Sequence, residues 1–367
     1  MTDNSNNSAS NLVALIKQEK IFIGIVGILF IIAGLSTPYA NIAMWVGFFL
    51  AGYSAIANDS IQTIGTFIAS NNERPWWMLW LYMGGIFLVT VSISWYLFDG
   101  DVSYQRLASK GFDETPSQFN FLQVAAPLFL LILTRLRMPV STTFLLLSSF
   151  ATSASSITGV LGKSLSGYFL AFALGFIVWL LVTRTFEKKF SENKASNVWI
   201  PIQWITSGTL WAVWLMQDAA NIAVYLPRSL SLLQFLVFAG FIFIGLGLLF
   251  YLRGDRIQKI VTDKSRVTDI RSATIIDFIY SILLIYKLTI STVPMSTTWV
   301  FLGLLAGREI GMSIMGKGFS LGHPLSKVFK MVFKDLGSAL IGLFISIILA
   351  ISINDDVRVE LLSIIGL

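Results

Sequence analysis

Asn58-Asp59-Ser60-Ile61-Gln62 is a polar island in a very apolar chain, and Gln217-Asp218-Ala219-Ala220-Asn221 echoes it 159 residues later. In both, a carboxylate carries carboxamides at positions −1 and +3. Two further echoes follow in the same order. Pro139-Val140-Ser141-Thr142-Thr143 answers to Pro294-Met295-Ser296-Thr297-Thr298 at an offset of 155, and Gly162-Lys163-Ser164-Leu165-Ser166 to Gly316-Lys317-Gly318-Phe319-Ser320 at 154. Three blocks in one order at nearly one offset signal an internal duplication. As polar islands they are candidates for a site assembled from both halves.

Composition defines the environment. The 367 residues are 55% apolar and only 13% charged, with a mean hydropathy of +0.75, well beyond a soluble average. Apolar runs near the ~20 residues that cross a hydrocarbon core recur along the chain. They predict an all-α polytopic membrane protein with about eleven spans, some broken, near 20–36, 41–57, 76–98, 119–135, 140–160, 164–183, 199–217, 231–252, 272–290, 296–315 and 335–353. Residues 1–19 read as a disordered cytoplasmic N-terminus, too polar and too long for a cleaved signal peptide. With no cysteine, disulfides and thiolate chemistry are excluded. The single His323 sits beside Pro324 and reads as a surface residue. The net charge of +6 does not point to nucleic acid, because the basic residues lie in loops.

Those loops orient the chain. Of the 26 Lys and Arg, all but Arg106, Lys110, Lys163, Arg228, Lys287 and Arg358 fall on the side of the N-terminus. The positive-inside bias places that terminus in the cytoplasm and, after eleven crossings, the C-terminus outside. The membrane is read as a bacterial-type inner or plasma membrane. If 20–36 is an extra span, two five-span units remain, 40–185 and 199–355. An odd number of spans per unit turns the second upside down. Inverted repeats characterise secondary transporters, with sites near the midplane at the repeat interface.

The islands carry the chemistry. An Asp at membrane depth is costly, about 2.5–3.5 kcal/mol on insertion scales, so Asp59 and Asp218 need compensation. Asn58, Asp59 and Gln62 in one half, with Gln217, Asp218 and Asn221 in the other, offer oxygen ligands suited to a hard cation, Na⁺ or a proton. The competing reading is that they cap broken helices and bond one another. The Pro-x-Ser-Thr-Thr islands read as helix starts. Their free N–H groups and the hydroxyls of Ser141, Thr142, Thr143, Ser296, Thr297 and Thr298 make a donor-rich pocket for an oxyanion. Here the competing reading is plain helix capping or helix contact.

Together these motifs resemble the PiT-type inorganic phosphate transporter family, sodium- or proton-coupled. In that family each inverted repeat carries a Gly-Ala-Asn-Asp-x-x-Asn stretch and a later Ser-Thr-Thr-His or similar stretch. The counterparts are Ala57-Asn58-Asp59-Ser60-Ile61-Gln62 with Ser141-Thr142-Thr143, and Gln217-Asp218-Ala219-Ala220-Asn221 with Ser296-Thr297-Thr298. The likeness covers most of 40–320 and is that of a divergent member. Ile56-Ala57 stands where the family has Gly-Ala, Gln replaces Asn once in each repeat, and Phe144 and Trp299 replace the histidines. The resemblance implies import of inorganic phosphate, or of sulfate by the same fold, coupled to Na⁺ or H⁺. The Asn and Asp residues would serve the cation and the Ser/Thr clusters the anion. It implies no cofactor, no metal beyond a transported Na⁺, the lipid bilayer as partner, and allows a homo-oligomer.

Other charges read as structural. Arg308-Glu309 is expected to form a local ion pair, and Asp277 to pair with Arg271 or Lys287. Lys163 and Lys317 are expected to anchor at the interface or attract anions, and the tryptophans to form an interface belt. No Gly-x-Ser-x-Gly elbow, His-Glu-x-x-His helix or P-loop is present, which argues against an enzyme. The alternative from another class is an intramembrane aspartyl-type hydrolase using Asp59 and Asp218.

Overall fold

The structure, a computed structural model, describes residues 3–136, 138, 140–192, 195–252, 270–314 and 324–364. Among them there are helices and no strands. In chain order these are α1 (Asp3–Ser36), α2 (Ala40–Ser70), α3 (Trp76–Leu97), α4 (Phe121–Arg135), α5 (Ala154–Glu192), α6 (Trp199–Ala223), α7 (Leu232–Tyr251), α8 (Ile270–Ile290), α9 (Thr297–Ile314), α10 (Leu325–Ile353) and α11 (Asp355–Ile364). A π-helical turn, Thr143–Leu147, stands between α4 and α5. Seven of the helices are long and apolar enough to cross a membrane. Ile21, Leu97, Leu181, Leu233, Ile244 and Phe344 are exposed on the outside. An apolar surface on this scale suits lipid tails and not water. The protein is an integral membrane protein.

Several elements depart from the expected spans. Helix α2 does not stop at the first polar island but runs through Asn58 and Asp59 to Ser70. The run over 140–160 is divided into the π-turn, a break, and the first residues of the 39-residue α5. Within this stretch Ser149 Oγ donates to Leu145 O at 2.9 Å, and Ser153 Oγ lies 2.8 Å from Ser156 Oγ. At the N-terminus, α1 begins at Asp3, inside the stretch expected to be disordered. Helix α11 was not expected. Asn354 starts it, accepting from Asp356 N at 2.9 Å, and Asp355 and Asp356 favour its positive end. Its Glu360 accepts from Ala154 N at 2.7 Å, capping α5. Pro139, His323 and the Gly316–Ser320 block lie outside the described residues.

Packing partners pair off. Helix α2 packs on α4 as α6 packs on α8, and α2 meets α7 as α3 meets α6. The halves also interlock, with α5 lying along α9 and α10 covering the π-turn. Gly303, Gly307 and Gly311 line the α5–α9 seam at intervals of one helical turn. A Cβ on Gly307 would stand 2.1 Å from Phe172 O, and one on Gly303 2.3 Å from Tyr168 O. This is small-residue packing at a membrane helix crossing, and it sets where the first turn of α9 sits.

Loops fasten one end of the bundle. Arg106 Nη2 donates to Leu288 O at 3.2 Å, and its Nη1 to Ser291 O at 2.5 Å. Arg228 reaches Phe112 O at 3.0 Å and Glu114 O at 2.7 Å. Burial lowers both guanidiniums to about 10, so they remain cationic at neutral pH. These bonds turn the polar 99–120 stretch into an ordered strap.

Candidate functional site

The four polar islands come together. In α2, Asn58 and Gln62 lie one turn apart with Asp59 between them. Asn58 Nδ2 donates to Asp59 Oδ1 at 2.8 Å, to Val140 O at 3.3 Å and to Thr142 Oγ1 at 3.4 Å. The first Asp island thus holds the first Ser/Thr island. In α6 the counterpart is Asn221 Nδ2 donating to Asp218 Oδ1 at 2.7 Å. A cross-tie links the halves. The Thr143 hydroxyl of the first half lies 3.2 Å from Asp218 Oδ1 and 3.4 Å from Met295 O of the second, and accepts from Asn221 Nδ2 at 3.2 Å.

The two Ser/Thr islands are built alike. Ser141 Oγ accepts from Phe144 N at 3.1 Å, and Ser296 Oγ accepts from Trp299 N at 3.3 Å. Each serine is therefore an N-cap bonded to the third residue after it, and each keeps an O–H to donate. Pro294 lies two residues ahead of Ser296 and outside α9, and the capping serine starts the helix. Both capping serines are buried, together with Thr142, Thr143, Thr297 and Thr298. Phe144 and Trp299, which hold equivalent places in the two echoes, touch each other with ring centroids 5.3 Å apart.

The hydrogen bonding is incomplete in a telling way. Among the described residues, Asp59 Oδ2, Gln62 Oε1, Asp218 Oδ2, Asn221 Oδ1, Trp299 Nε1 and both amide atoms of Gln217 are buried without a partner. Native interiors leave few such atoms; apart from Trp299 Nε1 these fall on the predicted residues, while Arg106 Nε in the strap is a further one away from the site. Carboxylate and amide oxygens of this kind can coordinate a hard cation. The hydroxyls and N–H groups beside them can hold an anion.

Sequence reasoning missed several supporting residues. Thr134 donates to Asn58 Oδ1 at 3.3 Å, Trp214 Nε1 to Thr297 Oγ1 at 3.2 Å, and Tyr280 OH to Thr297 O at 2.9 Å. The tryptophans are expected as an interface belt, and only the place of Trp214 one turn ahead of Gln217-Asp218 hints otherwise; Tyr280 carries no such signal. Asp277 is corrected. Its carboxylate accepts from Thr66 at 2.9 Å and from Ser207 at 2.5 Å, while Lys287 is turned to Ser166 at 2.7 Å. Those hydroxyls bind α8 to α2 and α6. Asp277→Ala would leave both without their acceptor, so a loss of about 1–3 kcal/mol is expected. Thermal unfolding should show it, with no change in apparent substrate affinity.

Other charges fall as follows. Arg308 Nη1 contacts Glu309 Oε1 at 2.7 Å, the expected local pair, with its guanidinium 5.5 Å from the Trp179 ring. Lys163 Nζ donates to Ser291 O at 2.9 Å and Val293 O at 2.5 Å. It thus secures the linker ahead of Ser296 while remaining partly exposed.

Comparison with models of known protein families finds no match, and neither does comparison with curated sequences. Among solved structures, the chain is similar to one titled "The sodium-dependent phosphate transporter", with a TM-score of 0.55 and 16% sequence identity. The match covers 92% of this chain and 100% of that one. Over nearly its whole length, this chain has the fold of that transporter.

Proposed function

We propose that the chain is a divergent PiT-type secondary transporter that imports inorganic phosphate, coupled to Na⁺ or H⁺, through one site shared by two inverted repeats, 40–185 and 199–355. The observation that carries the reading is the cross-tie at Thr143, which joins the Ser/Thr cluster of one half to the Asp island of the other. The paired packing of α2, α4 and α7 against α6, α8 and α3 supports the two-repeat arrangement. The transporter fold and the motifs support phosphate and Na⁺.

Asp59 with Asn58 and Gln62, and Asp218 with Gln217 and Asn221, would ligate the cation. The anion would take hydroxyls from Ser141, Thr142, Thr143, Ser296, Thr297 and Thr298, with the N-terminal N–H groups of α9 behind them. A bound monovalent cation offsets one of the two carboxylate charges and so lowers the repulsion that a phosphate meets. This gives a physical basis for coupling, because phosphate alone would face two unneutralised carboxylates at membrane depth. Rocking of one repeat against the other would expose the site to each side in turn.

The test is uptake of radiolabelled phosphate by proteoliposomes of the purified protein. Uptake above that of protein-free vesicles is expected under an inward Na⁺ or H⁺ gradient. No uptake under either gradient, or equal uptake without one, would overturn the reading. The same reading fixes topology. A reporter after Leu367 should be extracytoplasmic and one within 253–270 cytoplasmic, and finding both on one side would rule out the inverted arrangement.

A further inference from the structure

The unpartnered atoms of the site sort by chemistry. Asp59 Oδ2, Gln62 Oε1, Gln217 Oε1, Asp218 Oδ2 and Asn221 Oδ1 are acceptors, whereas Gln217 Nε2 and Trp299 Nε1 are N–H donors. Trp299 is 2% exposed. It belongs to the first turn of α9, where its backbone N is bound to Ser296 Oγ. Its ring lies on Phe144, the matching residue of the other half. The Trp299 ring therefore lies beside the turns that follow both Ser/Thr clusters, and its buried N–H without an acceptor is costly.

We propose that Trp299 Nε1–H is a direct ligand of the transported oxyanion, and that the unpartnered acceptor oxygens of the two Asp islands select protonated phosphate over sulfate. The inference rests on the transport reading above and extends it to a donor and a selectivity that the motif does not assign. An indole N–H donates and never accepts, so it suits an unprotonated anion oxygen. Phosphate near neutral pH also carries at least one P–OH, which must find an acceptor. Gln217 leaves both amide atoms unpartnered, so beside its place on the cation its Oε1, with two lone pairs, can also accept a hydrogen bond from that P–OH while its Nε2 donates to another phosphate oxygen. Sulfate carries no proton at this pH. It would turn lone pairs toward the same acceptors, and discrimination against a partner that leaves polar groups unpaired is strong.

The experiment is phosphate uptake and anion competition in proteoliposomes with wild type, Trp299→Phe and Trp299→His. Phenylalanine keeps a ring against Phe144 but removes the N–H. A hydrogen bond to a charged group is worth about tenfold or more in affinity. Trp299→Phe should therefore raise the KM for phosphate about tenfold, with the maximal rate and cation dependence retained. Trp299→His, which restores an N–H, should recover part of that loss. Competition on the wild-type protein needs no variant. Arsenate, protonated like phosphate, should inhibit, while a tenfold excess of sulfate should not. An unchanged KM in Trp299→Phe, or a fall in maximal rate and melting temperature alone, would overturn the ligand role and leave a packing ring. Sulfate competing as well as arsenate would overturn the selectivity. A wild-type protein that moves no phosphate under any cation gradient overturns the transport reading, and this inference with it.

Discussion

Gly307→Leu is expected to abolish the folded protein. A Cβ at that position would stand 2.1 Å from Phe172 O and 2.8 Å from Phe176 N, both backbone atoms of a 39-residue helix. Backbone cannot step aside as a side chain does, so α9 would have to leave α5. Overpacking costs about 1–3 kcal/mol where side chains can yield, and more where they cannot, against a total stability of about 5–15 kcal/mol. Displacing α9 also moves Thr297 and Trp299 out of the site. Size-exclusion profiles and thermal unfolding in detergent would report the loss. Gly240→Ala is the control, because nothing lies within 4 Å of a Cβ there. A monodisperse Gly307→Leu with an unchanged melting temperature would contradict the packing account.

Asp59→Asn and Asp218→Asn should each reduce cation-driven phosphate uptake at least a hundredfold, about 2.8 kcal/mol at tenfold per 1.4 kcal/mol. Both substitutions keep the shape and the hydrogen bond to Asn58 or Asn221 while removing the charge that a cation needs. The symmetry of the site matters to the outcome. Asp218 is tied to the first half through Thr143, so neither half should retain transport alone. Uptake, expression and melting temperature measured together separate a lost ligand from a lost fold. Wild-type uptake with unchanged Na⁺ and pH dependence in either variant would make that acid structural.

The site was legible in the sequence because a duplication repeats what function needs in both halves. Asn58-Asp59 and Gln217-Asp218 stood out as charge in apolar runs, where charge is expensive, and the structure brings them together with both Ser-Thr-Thr clusters. Interruptions within a span were harder to see. Thr142 to Ala151 reads as apolar enough to continue a spanning helix, and nothing in its pattern marks the π-turn and the break that divide it. The Gly303, Gly307 and Gly311 stripe was available to sequence reading, but it becomes a seam only once α5 is known to lie opposite. The roles of Asp277 and Lys163 were illegible for a related reason. Their partners, Thr66, Ser207 and the carbonyls of Ser291 and Val293, are distant in sequence and neutral, so no charge pattern announces them.

A structure determined at saturating phosphate and Na⁺ tests the central claim most directly. The shared-site account expects a tetrahedral anion within hydrogen-bonding distance, about 3 Å, of hydroxyls from both Ser141–Thr143 and Ser296–Thr298, beside a cation held by oxygens of the two Asp islands. An anion bound by one cluster alone, or away from both, would contradict it and leave the Ser/Thr runs as helix caps.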